Sequence, residues 1–132
     1  MNGLAKYLLG MVSGAAIGAA VMACVATATE TETDPVKLSP EYYSVRIDND
    51  RVRVLEYRLQ PGQKEPMHGH PSGIVYAINA AQFRSIAPDG TVTDTSSKPG
   101  GISWRDTMAH ATENVGSTEA HSIAVELKPC KP

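Results

Sequence analysis

Beyond residue 40 the chain alternates between short runs of β-branched or aromatic residues and segments that favour turns. The turn segments lie at 49–50, 61–62, 88–90 and 99–101, and they are built from proline, glycine, asparagine and aspartate. No run carries a helical period of the usual length, whereas short strands separated by regular turns are typical of β-sandwiches and β-barrels. The pattern therefore predicts one all-β domain.

Two of the predicted strands indicate how side chains divide between the faces of a sheet. In the run 51–59 the apolar residues occupy even positions at first and odd positions from Leu55 onward. A change of phase of this kind indicates a bulge or a change of sheet. In the run 122–127 the apolar residues alternate strictly, which predicts a half-buried strand whose other side is wet or faces a pocket.

Residues 1–28 differ in composition from the rest of the chain. Lys6 is the only charged side chain before Glu30, and the stretch 7–28 is apolar or small and ends in Ala-Thr-Ala. A positive start, an apolar middle and small residues before a cleavage point are typical of a secretory signal peptide. We therefore expect an N-terminal helical segment that directs export.

Two other fates of this segment stay open. It is long enough to span a bilayer, and Gly10, Gly14 and Gly18 have the small-xxx-small spacing of packed membrane helices, which favours a retained anchor. The run 21–24, Val-Met-Ala-Cys, resembles a bacterial lipoprotein box that would attach the chain through Cys24. All three fates place the domain outside the cytoplasm, periplasmic or secreted, with membrane contact only through this segment.

The remainder of the chain divides into three parts. Residues 29–40 are polar, acidic at their start and contain two prolines, which predicts a linker. Residues 41–128 form the predicted domain, which is large enough for a single core, and 129–132 form a short tail.

Composition excludes several classes of function. Without residues 1–28 the chain keeps 11 basic and 14 acidic residues, a net charge of −3, and the basic ones are scattered, so nucleic-acid binding is not expected. The two cysteines, Cys24 and Cys130, cannot form a disulfide framework if the leader is removed. The domain also lacks a phosphate-binding glycine loop, a G-x-S-x-G motif and a CxxC motif. Small molecules are the expected partners.

The candidate chemistry is carried by histidines. His68 and His70 are two residues apart in a run predicted to be extended, so their imidazoles point to the same side and can share one metal ion. His110 lies forty residues further on in an apolar-flanked segment and is a candidate third ligand. The fourth histidine, His121, is interpreted as a hydrogen-bonded core or rim residue.

The spacing of these residues resembles the two metal-site motifs of the cupin superfamily. Gly62 precedes the HxH pair by six residues, as in the first cupin motif, and His110 with Asn114 forms the H-x3-N of the second. The resemblance implies a single small jelly-roll β-barrel of the RmlC-like type, with the imidazoles converging inside it. It covers roughly residues 42–128.

The chain is most similar to small single-domain cupins, some of them exported and some named as β-alanine degradation proteins. The shared features are a PG-x4-MH-x-HP run, a PDG turn, a tryptophan before the second motif, HxxxNxG and a terminal ELK; here they start at Pro61, Pro88, Trp104, His110 and Glu126. The resemblance also implies that copies of the chain can pair as homodimers through their outer strands.

One departure from the cupin pattern changes the expected site. Many cupins have a metal-binding glutamate four or five residues after HxH, but Ile74 and Val75 occupy those positions here. Arg105 and Thr107 likewise replace the usual proline and glycine of the second motif. The resemblance then implies a three-histidine site, as in the thiol dioxygenases among cupins, with open positions for water, substrate or dioxygen. Iron(II), zinc, nickel, manganese and copper all suit such a site.

Several further residues are candidates around the metal. Asn114 is expected either to orient His110 or to brace the turn that follows it. Tyr57, Tyr76 and Trp104 are candidate pocket walls, with ordinary core packing as the alternative for each. Glu65 and Glu113 flank the histidines and could act as bases or as replacement metal ligands, but both are interpreted as solvated turn residues. The same interpretation applies to Glu126.

Three functions fit this sequence. The first is a metal-dependent enzyme, an oxygenase of a small acid or thiol, with His68, His70 and His110 holding the ion. The second is a non-catalytic exported protein that binds a small ligand or a metal, which needs no acid or base near the ion. The third is a structural cupin whose histidines bind nothing. A fold and three ligands do not name a reaction, so whether the protein is an enzyme stays open.

Overall fold

The computed structural model describes residues 33–129, which form nine β-strands and one short helix. The helix α1 covers Pro35–Leu38. The strands are β1 Tyr43–Asp48, β2 Val52–Leu59, β3 Lys64–His70, β4 Gly73–Ala77, β5 Ala81–Ile86, β6 Val92–Ser97, β7 Ile102–Arg105, β8 Met108–Asn114 and β9 Ala120–Leu127. This architecture confirms the predicted all-β domain.

The predictions for the export segment, including Cys24, and for Cys130 lie outside the described residues. Within residues 33–129, the structure has no helix with the length and apolar character that a bilayer crossing needs.

The nine strands form two antiparallel sheets that face each other as a jelly roll. One sheet has five strands in the order β1-β2-β9-β4-β7, and the other has four in the order β3-β8-β5-β6. Several neighbouring strands, such as β2 with β9 and β3 with β8, are distant in sequence, so strands from both halves of the chain meet across one interior. Leu55 and Leu59 on β2 are completely buried there, and Tyr43, Tyr57 and small alanines complete the core.

The outer face of the five-stranded sheet is also apolar. One row of paired side chains crosses all five strands, formed by Ile47, Val54, Val125, Ile74 and Trp104. Three members of this row are more than two-fifths exposed. Apolar alternation in this sheet therefore marks the outer face on β4 and β9, whereas on β2 the alternating Leu55, Tyr57 and Leu59 face the core.

This arrangement corrects the expected bulge or change of sheet within 51–59. β2 pairs with β9 without interruption, and its early apolar positions lie on the apolar outer face. The irregularity is in the neighbouring strand β1, between Val45 and Ile47, opposite the position where the apolar phase of β2 changes.

The second half of the expected linker packs against the barrel. Asp34 caps α1 by accepting a hydrogen bond from the Val36 amide at 3.1 Å, and both of its carboxylate oxygens lie 3.0 Å from Nη1 of Arg53. The Thr33 carbonyl accepts a hydrogen bond from the Gly69 amide at 2.8 Å. A Cβ on Gly69 would lie 2.8 Å from the Thr33 hydroxyl, so a larger residue between the two histidines of HxH would require the Thr33 side chain to shift.

Candidate metal centre

Two neighbouring strands bring the three predicted histidines together. β3 pairs with β8 so that His68 lies directly opposite His110, and His70 follows on the same face of β3. The ring centroid of His68 is 4.7 Å from that of His70 and 4.7 Å from that of His110, and the remaining pair is 5.4 Å apart. One ligand atom from each imidazole falls within 4.8 Å of the others, which suits a shared ion.

Each ring has a partner at Nδ1. The Nδ1 of His68 lies 2.8 Å from the Pro66 carbonyl, that of His70 lies 2.9 Å from Glu126 Oε1, and that of His110 lies 3.3 Å from the Thr112 hydroxyl. A carbonyl or carboxylate oxygen only accepts, so in the neutral rings of His68 and His70 the proton is on Nδ1 and the lone pair is on Nε2. The Nε2 atom of His68 is buried without a hydrogen-bond partner, which fits a metal ligand.

Burial keeps two of the imidazoles neutral. It lowers the pKa of His70 to about 4, against the opposing effect of Glu126, and it lowers the pKa of His110 to about 3, helped by the neighbouring histidines. The contact between His70 and Glu126 is therefore a hydrogen bond to a neutral ring at pH 7 rather than a salt bridge. Neutral imidazole is the form that binds metal ions.

The carboxylate behind His70 belongs to a buried charged network. Glu126 is 1% exposed and accepts hydrogen bonds from Arg53 at 2.8 Å and from Arg105 at 3.3 Å, besides its contact with His70. Burial alone raises the pKa of Glu126, but His70 and Arg53 together lower it below its usual value. Glu126 therefore stays ionised and fixes the orientation of the His70 ring.

The histidines adjoin a cavity of about 570 Å³ between the two sheets. His70 and His110 line it, and apolar side chains form much of its wall, including Val75, Phe83 and Met108. The cavity is of the size that takes a small organic ligand. Its position beside the histidines provides space for such a ligand next to a bound ion.

Two of the three predicted wall aromatics line this cavity. Tyr57 is buried on β2 and donates a hydrogen bond to Glu65 Oε2 at 2.8 Å. Trp104 reaches the cavity from the edge strand β7, where it is 57% exposed, and its indole N–H donates to Asp106 at 2.8 Å. These positions make Tyr57 part of the interior wall and Trp104 part of the rim.

The third predicted wall aromatic, Tyr76, does not line this cavity. Tyr76 is 44% exposed, and it lies on the outer face of β4 opposite Ile102 and Ile123. Successive residues of a strand point to opposite faces, so the inward positions of β4 belong to Val75 and Ala77, which do line the cavity.

Asn114 braces the turn after β8. Its amide donates to the Leu59 carbonyl and to the Thr118 carbonyl, both at 2.8 Å, and its side-chain oxygen accepts from the Gly116 amide at 3.0 Å. These bonds use the donors and acceptors of a fully buried side chain, and none of them goes to His110. Of the two expected roles, the geometry therefore matches the turn brace.

Replacing this side chain tests that role. We expect Asn114→Ala to lower the free energy of unfolding by about 2 kcal/mol, because the buried Leu59 carbonyl and the part-buried Thr118 carbonyl lose their amide donor. Urea denaturation of the metal-free protein measures the loss. Asn79→Ala is the matched control, since its single amide contact to a carbonyl is long, at 3.4 Å, and only part-buried. Equal losses in the two variants would contradict the assignment.

The structure adds three site residues that sequence analysis interpreted otherwise. Glu126 and Glu65 are buried rather than solvated, and Arg105 lines the cavity. The signal for Glu65 was Pro66, because proline inside a strand is confined to edges and bulges. A bulge here turns Glu65 to the same side as His68. Nothing local in the sequence indicates that Glu126 meets His70.

Solved structures provide the comparison with known proteins. A cupin domain from Bordetella pertussis Tohama I is 27% identical, with a TM-score of 0.61 over 66% of this chain and 92% of that chain. An uncharacterised Klebsiella pneumoniae protein with a double-stranded β-helix domain is 23% identical, with a TM-score of 0.52 over 66% and 70%. An RmlC-like cupin family protein from Methanocaldococcus jannaschii is 15% identical, with a TM-score of 0.53 over 65% and 78%.

A scan against protein-family models finds no match, and neither does a search of the curated proteins. The fold and its likeness to the solved structures nevertheless agree. The chain is a protein of the cupin superfamily, with three adjacent histidines inside its barrel.

Proposed function

We propose that the protein binds one divalent metal ion through His68, His70 and His110 and that this ion takes a small-molecule ligand in the adjoining cavity. The observation that carries the proposal is the buried Nε2 of His68, which has no hydrogen-bond partner and faces two other imidazoles. An unpartnered buried nitrogen is costly, and a metal ion held by all three rings would satisfy it.

We further propose that the reaction is an oxygenase reaction on a small acid or thiol, with iron(II) as the ion. Three neutral ligands would leave iron(II) with open positions at which substrate and dioxygen can bind together. Arg105 supports an acidic substrate, because its guanidinium lines the cavity and its buried Nε has no acceptor. A carboxylate is the natural partner of such a group. The apolar wall around Val75 and Phe83 would exclude water.

A non-catalytic binding protein is the alternative, and one observation favours it. The fourth carboxylate ligand of many cupins has no counterpart here, since Ile74 points outward with 43% exposure and Val75 is apolar. Among residues 33–129, the cluster with metal-ligand spacing contains the three histidines and no carboxylate. Tight ligand binding without turnover would favour this alternative.

Metal binding is tested by titrating purified, chelator-treated protein with Zn²⁺ or Co²⁺ and measuring bound metal by elemental analysis. We expect one ion per chain in the wild type and none in a variant with His68, His70 and His110 all changed to Gln. His121→Gln is the matched control, because the fourth histidine forms a hydrogen bond with Glu56 at 2.8 Å and is not one of the three clustered histidines. Full metal uptake by the triple variant, or none by the wild type, would exclude the proposed site.

Oxygen consumption separates the two candidate functions. The iron(II)-loaded protein is offered a panel of small acids and thiols, and dioxygen uptake is followed with an electrode. Uptake that requires both iron and one of these substrates supports the oxygenase. If the panel compounds bind without oxygen uptake, the binding protein is the better description.

We also propose that the apolar outer face of the five-stranded sheet pairs with a second copy of the chain. Two copies of one apolar patch are complementary about a two-fold axis, and the row across all five strands would otherwise face water. Sedimentation should find a dimer that Ile102→Lys dissociates, since Ile102 is 72% exposed beside this row. Val92→Lys, at an exposed site on the other sheet, should leave the dimer intact. A monomeric wild type would refute the pairing.

A further inference from the structure

Glu65 is a buried carboxylate in the same cavity. It is 4% exposed and lines the cavity together with His70 and His110. Its Oε2 accepts the Tyr57 hydroxyl at 2.8 Å, but its Oε1 has no hydrogen-bond partner. Burying half of a carboxylate without a partner is costly unless a ligand supplies the missing donor.

The β3 bulge determines where this carboxylate lies. Glu65 pairs with Thr112, and His68 pairs with His110, so the pairing gains one residue on β3 between the two positions. Both pairs therefore point into the barrel, and Glu65 occupies the layer next to the histidines, about 7 Å along the strand. That distance places it outside the three-histidine cluster but within reach of a molecule bound there.

Glu65 is not a member of the ion-pair network formed by Arg53, Arg105, Glu126 and Asp34. Arg53 and Arg105 bond Glu126, and Arg53 also bonds Asp34, so two guanidinium groups face two carboxylates. Glu65 has phenol neighbours instead: Tyr57 donates a hydrogen bond to it, and Tyr43 is a second, weaker partner. No ion pair to Glu65 forms within residues 33–129. A carboxylate in this position attracts a donor group carried by whatever enters the cavity.

We infer that Glu65 accepts a hydrogen bond from the hydroxyl, amine or thiol group of a small acid bound at the three-histidine site, and that it selects ligands that carry such a donor. This inference rests on the proposed function, since the ligand is taken to bind at the ion. In this arrangement Arg105 contacts the carboxylate of the ligand, and Glu65 contacts its hydrogen-bond donor group.

Glu65→Gln reverses the hydrogen bond at constant size. A carboxamide has one acceptor oxygen and one NH₂ donor, and Tyr57 will hold the oxygen because its hydroxyl donates. The NH₂ then faces the cavity where Oε1 was, and it repels a ligand donor. Glu113→Gln is the matched control, since that carboxylate pairs with Lys64 at 3.2 Å on the neighbouring strand and does not line the cavity.

The test compares glycolate with methoxyacetate and acetate as probes of Co²⁺-loaded protein. Methoxyacetate caps the hydroxyl with a methyl group, and acetate lacks it. Binding is followed by the visible spectrum of the cobalt, which does not require turnover. We expect the wild type and Glu113→Gln to prefer glycolate over both probes by at least about tenfold, the effect of one hydrogen bond to a charged group. Glu65→Gln should lose that preference.

Each outcome decides a separate question. Equal affinity for the three probes in the wild type, or an unchanged preference in Glu65→Gln, would overturn the role of Glu65 while leaving the metal site in place. Absence of cobalt uptake, measured before any probe is added, would overturn the proposed function and this inference with it. If near-UV circular dichroism shows that Glu65→Gln does not fold, Glu65→Asp replaces it. The shorter side chain withdraws the carboxylate from the ligand and should reduce the preference for glycolate. An unchanged preference would again overturn the role of Glu65.

Discussion

Glu126→Ala is expected to lower the free energy of unfolding by about 3–5 kcal/mol and to weaken metal binding by roughly 10- to 100-fold. Both effects have one cause. The carboxylate is the common partner of Arg53, Arg105 and His70. Its loss leaves the half-buried Arg105 without its anion, leaves Arg53 with Asp34 alone, and frees the His70 ring to rotate. Urea denaturation of the metal-free protein measures the first effect, and competitive Zn²⁺ titration with a chromophoric chelator measures the second.

Glu56→Ala is a demanding control for this prediction. Glu56 also accepts a hydrogen bond from a histidine, His121, at 2.8 Å, and it forms salt bridges with Arg46 and Arg58. This cluster, however, lies on the outer face of the same sheet. Arg46 and Arg58 are about half exposed, so water can replace the anion that they lose. A smaller loss of stability than in Glu126→Ala and no change in metal affinity are therefore expected. If the two variants lose similar amounts of stability and metal affinity, burial is not the reason why the Glu126 network contributes to either property.

The sequence was sufficient for the fold class because β-branched runs and turn signals are local properties. It was insufficient for the faces of the strands. Ile74, Tyr76 and Val125 alternate as core residues would, but in this sheet they cover the outside, while small and polar residues such as Ser122 face the cavity. On β4 and β9, which border a polar interior, apolar alternation therefore does not identify the buried face, although on β2 it does.

The site was predictable to the extent that it depends on short-range spacing. HxH places His68 and His70 on one face of a strand, and the resemblance to cupin motifs pointed to His110. The supporting groups depend on contacts between sheets: His70 on β3 and Glu126 on β9 are 56 residues apart and meet across the interior. Glu65 depends on a bulge, which shifts a side chain to the other face and which Pro66 signals only weakly.

The metal-free protein is expected to lose about 4 kcal/mol of unfolding free energy when the pH falls from 7 to 5. Burial holds the pKa of His70 at about 4 and that of His110 at about 3, whereas both return to their ordinary value of 6.5 on unfolding. Between these values the unfolded chain binds protons that the folded protein does not, so stability falls as the pH falls. Each histidine contributes up to about 1.4 kcal/mol per pH unit below 6.5.

Urea denaturation at half-unit intervals between pH 7 and 5 measures this slope. The window lies above the ordinary range of carboxylates, and Glu65, whose pKa burial raises, acts in the opposite direction because it takes up its proton earlier in the folded state. A variant with His70 and His110 both changed to Gln should show a nearly flat profile, whatever its absolute stability. A flat profile in the wild type would mean that His70 and His110 are charged or solvated in the folded protein. A divalent cation could then bind the charged rings only by displacing their protons.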